Sequence, residues 1–130
     1  MRFFEDVSVG DTVEGGVYRM DEDGIVGFAE EFDPQPIHTD RETAAGSPFG
    51  GLIASGWHTC AATMRVLIEG PLADHALVGA TGVDDLRFLD PVRPGDELSA
   101  TVEVVDREVW DEDRGHVTSR VTTTRGAGRG

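Results

Sequence analysis

From Leu52 to Ile68 almost every residue is apolar or small, and Arg65 is the only charge before Glu69. A helix of that composition has no wide polar face, so it must be enclosed on most sides. Gly70-Pro71 ends it with one residue free to leave the helical conformation and one unable to continue it. In a chain of 130 residues the enclosing material has to come from the remainder, most of which reads as strands. Leu98, Ala100, Val102 and Val104 alternate with Ser99, Thr101 and Glu103 inside a stretch from Glu97 to Trp110. Further strands are expected over Leu77–Leu89 and His116–Thr124, and a weaker one over Thr12–Met20. Pro91–Asp96 and Asp111–Gly115 supply connecting turns. The pattern predicts an α+β layering, a mostly antiparallel sheet wrapped around one long central helix. It also predicts a single domain over residues 1–124, with 125–130 as a flexible C-terminal tail of small and charged residues.

Asp21 is placed to cap a helix, because Ile25, Phe28, Ala29 and Phe32 recur at helical spacing while Glu22, Asp23, Glu30 and Glu31 face outward. That helix stops at Asp33. Pro34 disfavours helical backbone for the residue before it, and Pro36 repeats the restriction at Gln35. Asp33–His38 is therefore a stiff loop. Thr39-Asp40-Arg41-Glu42 then fits a capping box with Thr39 as the cap, which opens a short helix to about Ala45 and fixes His38 just outside it. A carboxylate and an imidazole held in this way can divide proton abstraction and delivery around one water, since imidazole titrates near neutrality. Glu30 and Glu31 are expected to push the Asp33 pKa up, and a charged His38 to push it down. Spacing alone leaves two readings open, in which Asp33 merely ends a helix and His38 merely sits beside a cap. Gly50-Gly51 likewise serves either as a tight turn or as the source of a backbone amide that polarises a carbonyl oxygen.

Composition excludes several function classes. Eleven Lys+Arg against 25 Asp+Glu give a formal net charge of −14, and every cation is an arginine. Such a surface repels nucleic acid, whose binding rests on clustered cations that release counterions. No apolar stretch approaches the ~20 residues needed to cross a bilayer, so no membrane partner is expected. The single Cys60 excludes an internal disulfide framework and reads as a buried small hydrophobe. Met1–Asp6 lacks the pattern of a signal peptide, and the default location is cytoplasmic. His38-Thr39-Asp40 has no second His or Cys to complete a metal site, so none is expected. His58 and Trp57 fall within the central helix as core or dimer-packing residues, and His75 and His116 at solvated edges. A chain this small also gains from a second copy that covers more apolar area.

The run Phe28-Ala29-Glu30-Glu31-Phe32-Asp33-Pro34-Gln35-Pro36-Ile37-His38-Thr39-Asp40, followed by Ala44-Ala45, resembles the signature of the MaoC-like family of hotdog-fold (R)-specific enoyl-CoA hydratases. Phe49–Gly56 resembles the start of that family's central helix, and Leu86–Asp96 its late strand and turn. The resemblance implies a single hotdog fold. It also implies reversible hydration of a trans-2-enoyl-CoA, or related thioester, to an (R)-3-hydroxyacyl-CoA. Asp33 and His38 fall on the family's catalytic pair, which holds one water, and Gly51 falls on its thioester-polarising amide. It further implies no cofactor beyond the coenzyme A of the substrate, and a homodimer or dimer of dimers. Arg87 and Arg93 are the nearest cations for the coenzyme A phosphates, with pairing to Asp90 and Asp96 as the alternative. Phe32 stands where the family has Gly, and Gln35 where it has Asn. An acyl-CoA thioesterase, or a non-catalytic acyl-thioester-binding subunit, is the alternative function.

Overall fold

The computed structural model describes residues 3–70, 72–73, 75–76 and 79–127. In chain order its main elements are β1 (Thr12–Arg19), α1 (Glu22–Phe32), α2 (Pro36–Thr39), α3 (Arg41–Ala45), α4 (Gly56–Glu69), β2 (Asp96–Val109) and β3 (Gly115–Ala127). The strands form an antiparallel sheet in the order β1-β2-β3. β2 is central and shows the alternation expected of it, with Leu98, Ala100, Val102 and Val104 buried on one face.

α4 lies across that face. Val66 and Leu67 pack with Ala100 and Val102, while Ala62 joins Met20, Ile25, Ala54, Val92 and Leu98 in a second cluster. Close approach of α4 to β1 depends on Gly16. This residue sits at the register shift between Gly15 and Tyr18, has φ +68°, and would place a Cβ 2.8 Å from Val66 Cγ1. Ile25, fully buried, is the side chain through which α1 enters the core. Ile25→Val deletes one methylene there and is expected to lower stability by about 1 kcal/mol in urea unfolding with an unchanged m-value.

Four boundaries differ from those the sequence predicts. The central helix begins at Gly56 rather than Leu52: the Ile53 and Ala54 amides bond to Ile37 O (3.2 Å) and Val92 O (2.7 Å), which ties this segment to its neighbours, and Ser55, at ψ 139°, caps the helix. Leu52–Ser55 is instead a buried strap. Asp40 rather than Thr39 caps α3; its carboxylate accepts from the Glu42 and Thr43 amides, and Pro36 starts a separate turn of helix, α2, that contains His38. The strand expected over Leu77–Leu89 does not form: its first two residues lie outside the described residues, and 79–89 makes no ladder. Asp85 there has φ 56°, which breaks a strand, and Val83, Leu86, Phe88 and Leu89 are exposed. Finally, β3 runs on to Ala127, since Arg125, Gly126 and Ala127 pair with Leu98, Glu97 and Asp96; residues 125–127 thus belong to the sheet rather than to a tail.

The enclosure of α4 is also incomplete. Trp57, Met64 and Ile68 remain exposed on the side that the three-stranded sheet does not reach.

Candidate active site

Asp33 and His38 meet where α1 ends. Asp21 Oδ1 accepts the Gly24 amide at 2.7 Å and starts α1, and the Asp33 amide closes the last helical turn onto Ala29 O at 2.8 Å. Pro34 prevents a further turn, and Pro36, at the first position of α2, turns the chain back. His38 is buried. Its Nδ1 lies 2.7 Å from Ile53 O, and because a carbonyl only accepts, Nδ1 carries the proton of that bond. This leaves Nε2 directed at Asp33 Oδ2, 3.3 Å away, with the two side chains 7% and 20% exposed. The bond to Ile53 O thereby sets the orientation of the ring and presents Nε2 to the carboxylate.

The carboxylate is held on its other side by two neighbours. Gln35 Nε2 donates to Asp33 Oδ1 at 2.7 Å, and the buried Ser55, whose oxygen accepts the Trp57 amide at 3.3 Å and caps α4, acts on the same carboxylate through its hydroxyl. The Gln35 amide and then the Ser55 hydroxyl hold the Asp33 pKa below the usual carboxylate range, burial opposes them, and His38 lowers it further. The direction is opposite to that expected from Glu30 and Glu31. Direct hydrogen bonds to the charged form outweigh carboxylates that project from the helix into solvent.

The strap carries the third element. Two residues before Ile53, the Gly51 N–H donates to no group among the described residues. Gly50, at φ +69°, bonds back to Ser47 O at 3.0 Å and makes the turn into it. A carboxylate, an imidazole and an unpaired amide on rigid neighbouring segments can hold a water, move its proton and polarise a carbonyl.

A family model described as MaoC like domain matches residues 5–127. The chain belongs to the MaoC-like family. Its fold is the family's hotdog. It matches the crystal structure of the MaoC-like dehydratase from Rhodospirillum rubrum with a TM-score of 0.83 at 41% identity, covering 99% of this chain and 89% of that one. An uncharacterized protein of Bacillus subtilis, YdeM, is 33% identical over 119 residues, 92% of this chain and 84% of its own. A 3-hydroxybutyryl-CoA dehydratase of Methylorubrum extorquens is 38% identical over 109 residues, 80% of this chain but 64% of that enzyme. This MaoC-like chain therefore spans less than two thirds of the dehydratase, and its dehydratase relatives support an enzyme of lyase type.

Of the residues the sequence points to in this MaoC-like chain, Asp33 and His38 meet, and Gly51 stands just before the strap whose Ile53 amide bonds to Ile37 O, next to His38 in the chain. Arg93 is near Gly51, with Nη2 donating to Phe49 O at 2.6 Å, and its backbone N–H, not its guanidinium, meets Asp96. Arg87 is paired with Asp85 at 2.8 Å rather than Asp90, and both side chains are exposed. Phe32, 66% exposed, packs on Phe28 with ring centroids 5.1 Å apart, outside the Asp33–His38 contact. Ser55 is the residue that sequence reasoning misses. The available signal is a helix-capping residue type set inside an otherwise apolar run. A separate open depression of about 660 Å³ is lined by Glu22, Asp23, Glu30, Asp40 and Arg41; four carboxylates against one guanidinium make it a poor seat for a phosphate-rich ligand.

Three other side chains depart from their sequence expectations. Cys60 is half-buried, and burial pushes its thiol pKa up. His116 is not simply solvated: it stacks on Trp110 at 5.3 Å and bonds to Thr81 Oγ1 at 3.0 Å. Nor is His75, whose Nδ1 is buried without a partner among the described residues.

His58 is a core residue, stacked on Phe28 at 4.7 Å, with Nδ1 unpartnered among the described residues. Burial lowers its pKa, against a smaller opposing pull from Asp21. With the folded value below the unfolded value of about 6.5, the unfolded chain takes up the proton first as pH falls. Thermal stability is thus expected to decline from about pH 7 toward pH 5, and His58→Gln should flatten that slope, as scanning calorimetry across the range would reveal.

Proposed function

We propose that this MaoC-like protein reversibly hydrates a trans-2-enoyl-CoA, or a related acyl thioester, to the (R)-3-hydroxyacyl product. The observation that carries the reading is the 3.3 Å approach of His38 Nε2 to Asp33 Oδ2, with the imidazole ring oriented by Ile53 O. In the hydration direction one water is held jointly by the carboxylate and Nε2, beside their contact. One of its O–H bonds breaks as its oxygen bonds to the β-carbon, and the displaced π electrons move to the thioester carbonyl to form an enolate. The Gly51 N–H stabilises that oxygen. The water's proton, held by the Asp33–His38 pair, is then delivered to the α-carbon, which restores the carbonyl. Atoms balance without a cofactor, coenzyme A being part of the substrate.

Arg87, exposed on the 79–95 stretch of a strongly acidic chain, is the cation proposed for the coenzyme A phosphates; Arg93, the other candidate of the sequence, has its Nη2 on Phe49 O instead. We place the protein in the cytoplasm, in keeping with one half-buried thiol and no cysteine to pair with it. A homodimer or dimer of dimers belongs to the same proposal, since Trp57, Val83, Phe88 and Leu89 expose apolar surface that a second copy would cover. No helix among the described residues is long and apolar enough to cross a membrane.

The test is a crotonyl-CoA assay that follows enoyl absorbance and free thiol together. Loss of absorbance without thiol release supports hydration. Thiol release makes the protein a thioesterase, and binding without turnover makes it an acyl-thioester-binding subunit.

A further inference from the structure

We infer that Arg93 is a positioning residue for the thioester-polarising amide of Gly51. This role rests on the enolate-forming reaction proposed above and goes beyond it by naming what keeps that amide in place. Gly50-Gly51 is the most freely moving dipeptide a chain can have, whereas a donor to a developing oxyanion works only when it is already aimed. The segment after Gly51 is secured by the Ile53 and Ala54 amides, on Ile37 O at 3.2 Å and Val92 O at 2.7 Å. The segment before it has one long-range tether, the bond from Arg93 Nη2 to Phe49 O at 2.6 Å. That bond is charge-assisted and fixes the peptide plane immediately ahead of the one that bears the Gly51 N–H. Nη1 of the same guanidinium lies 3.5 Å from where a Cβ on Gly51 would be, so the planar group rests against this glycine as well.

Arg93 is itself well anchored. Its N–H donates to Asp96 Oδ2 at 2.9 Å, its carbonyl accepts the Asp96 amide at 3.0 Å, and Asp96 is buried. The turn is joined to the core through the Met20 carbonyl, which accepts the Gly95 amide at 2.7 Å, and through buried Val92. The clamp thus connects the conformationally permissive glycine pair to a turn that Asp96 and Val92 anchor in the core. A guanidinium suits the task because one nitrogen of its fork can bond Phe49 O while the other stands beside Gly51; an ammonium can do only the first.

The experiment uses the full chain with Arg93→Met and Arg93→Lys, on crotonyl-CoA and on the phosphate-free crotonyl N-acetylcysteamine thioester. Arg93→Met is expected to lower kcat about 100-fold on both substrates with KM little changed, and Arg93→Lys to recover part of the loss. Hydrogen–deuterium exchange over residues 47–54 should quicken in Arg93→Met. A defect confined to KM on the coenzyme A substrate, and absent on the phosphate-free one, would make Arg93 a phosphate ligand and overturn the positioning role. Unchanged exchange over 47–54 would overturn it too. The exchange measurement needs no turnover: if the wild type hydrates no enoyl thioester, the hydratase proposal fails while the clamp is still judged on its own.

Discussion

Asp33→Asn is expected to lower kcat for crotonyl-CoA hydration by about 10³-fold, equivalent to roughly 4 kcal/mol of barrier, while the protein stays folded. The substitution keeps the shape of the side chain and removes the charge that Gln35 Nε2, at 2.7 Å, and the Ser55 hydroxyl are arranged to stabilise. It also removes the carboxylate oxygen that faces His38 Nε2 at 3.3 Å. His38→Ala should show a loss of similar size. It carries a stability cost as well, because the bond to Ile53 O goes with the ring, so circular dichroism is needed to separate folding from catalysis. In the proposed reaction the two residues act on one water. The double variant should therefore be little worse than the poorer single, and independent, multiplying losses would argue against a shared water.

Replacement of the Gly51 amide by an ester, through glycolate at position 51, is the second large effect. It exchanges one N–H for an ester oxygen while leaving every side chain in place, and is expected to lower kcat by about 10²–10³-fold, the usual consequence of losing one oxyanion donor. The single Cys60 offers a ligation junction for assembling such a chain. Gly51→Ala is the matching control. Gly51 is not among the residues with positive φ, and a Cβ there meets only Arg93 Nη1 at an ordinary 3.5 Å, so alanine should leave kcat close to wild type. Activity retained by the ester would move the polarising role to another donor, with the neighbouring Leu52 N–H, also unpartnered among the described residues, as the next to examine.

Local chemistry made much of this molecule readable before its coordinates. Proline at positions 34 and 36 ends α1 at Phe32, and the alternation of Leu98 to Val104 marks β2 with its buried face. What was not legible depends on partners distant in sequence. Leu52–Ala54 has helical composition, yet the Ile53 and Ala54 amides tie it to Ile37 O and Val92 O, and α4 starts at Gly56 behind its Ser55 cap. Thr39 and Asp40 are both good caps, and the Pro36 turn decides between them by absorbing Thr39 into α2. The apolar character of 79–89 suggests a strand, but a strand requires a neighbour, and Asp85 bends away from one. The direction of the Asp33 pKa turns on the Gln35 amide, whose reach no spacing rule reports, and on Ser55 in the distant strap. The nearness of Asp33 and His38 was readable because two prolines restrict the chain between them, while their role came only from the family resemblance; the Gly51 amide's surroundings, the strap and the clamp depend on tertiary contact.

The most direct measurement offers the purified protein (R)- and (S)-3-hydroxybutyryl-CoA separately and follows enoyl absorbance and free thiol. Appearance of the enoyl thioester from the R isomer alone, without thiol and dependent on Asp33, is the predicted result. Enoyl formation from the S isomer, thiol release, or undiminished turnover in Asp33→Asn would contradict the account.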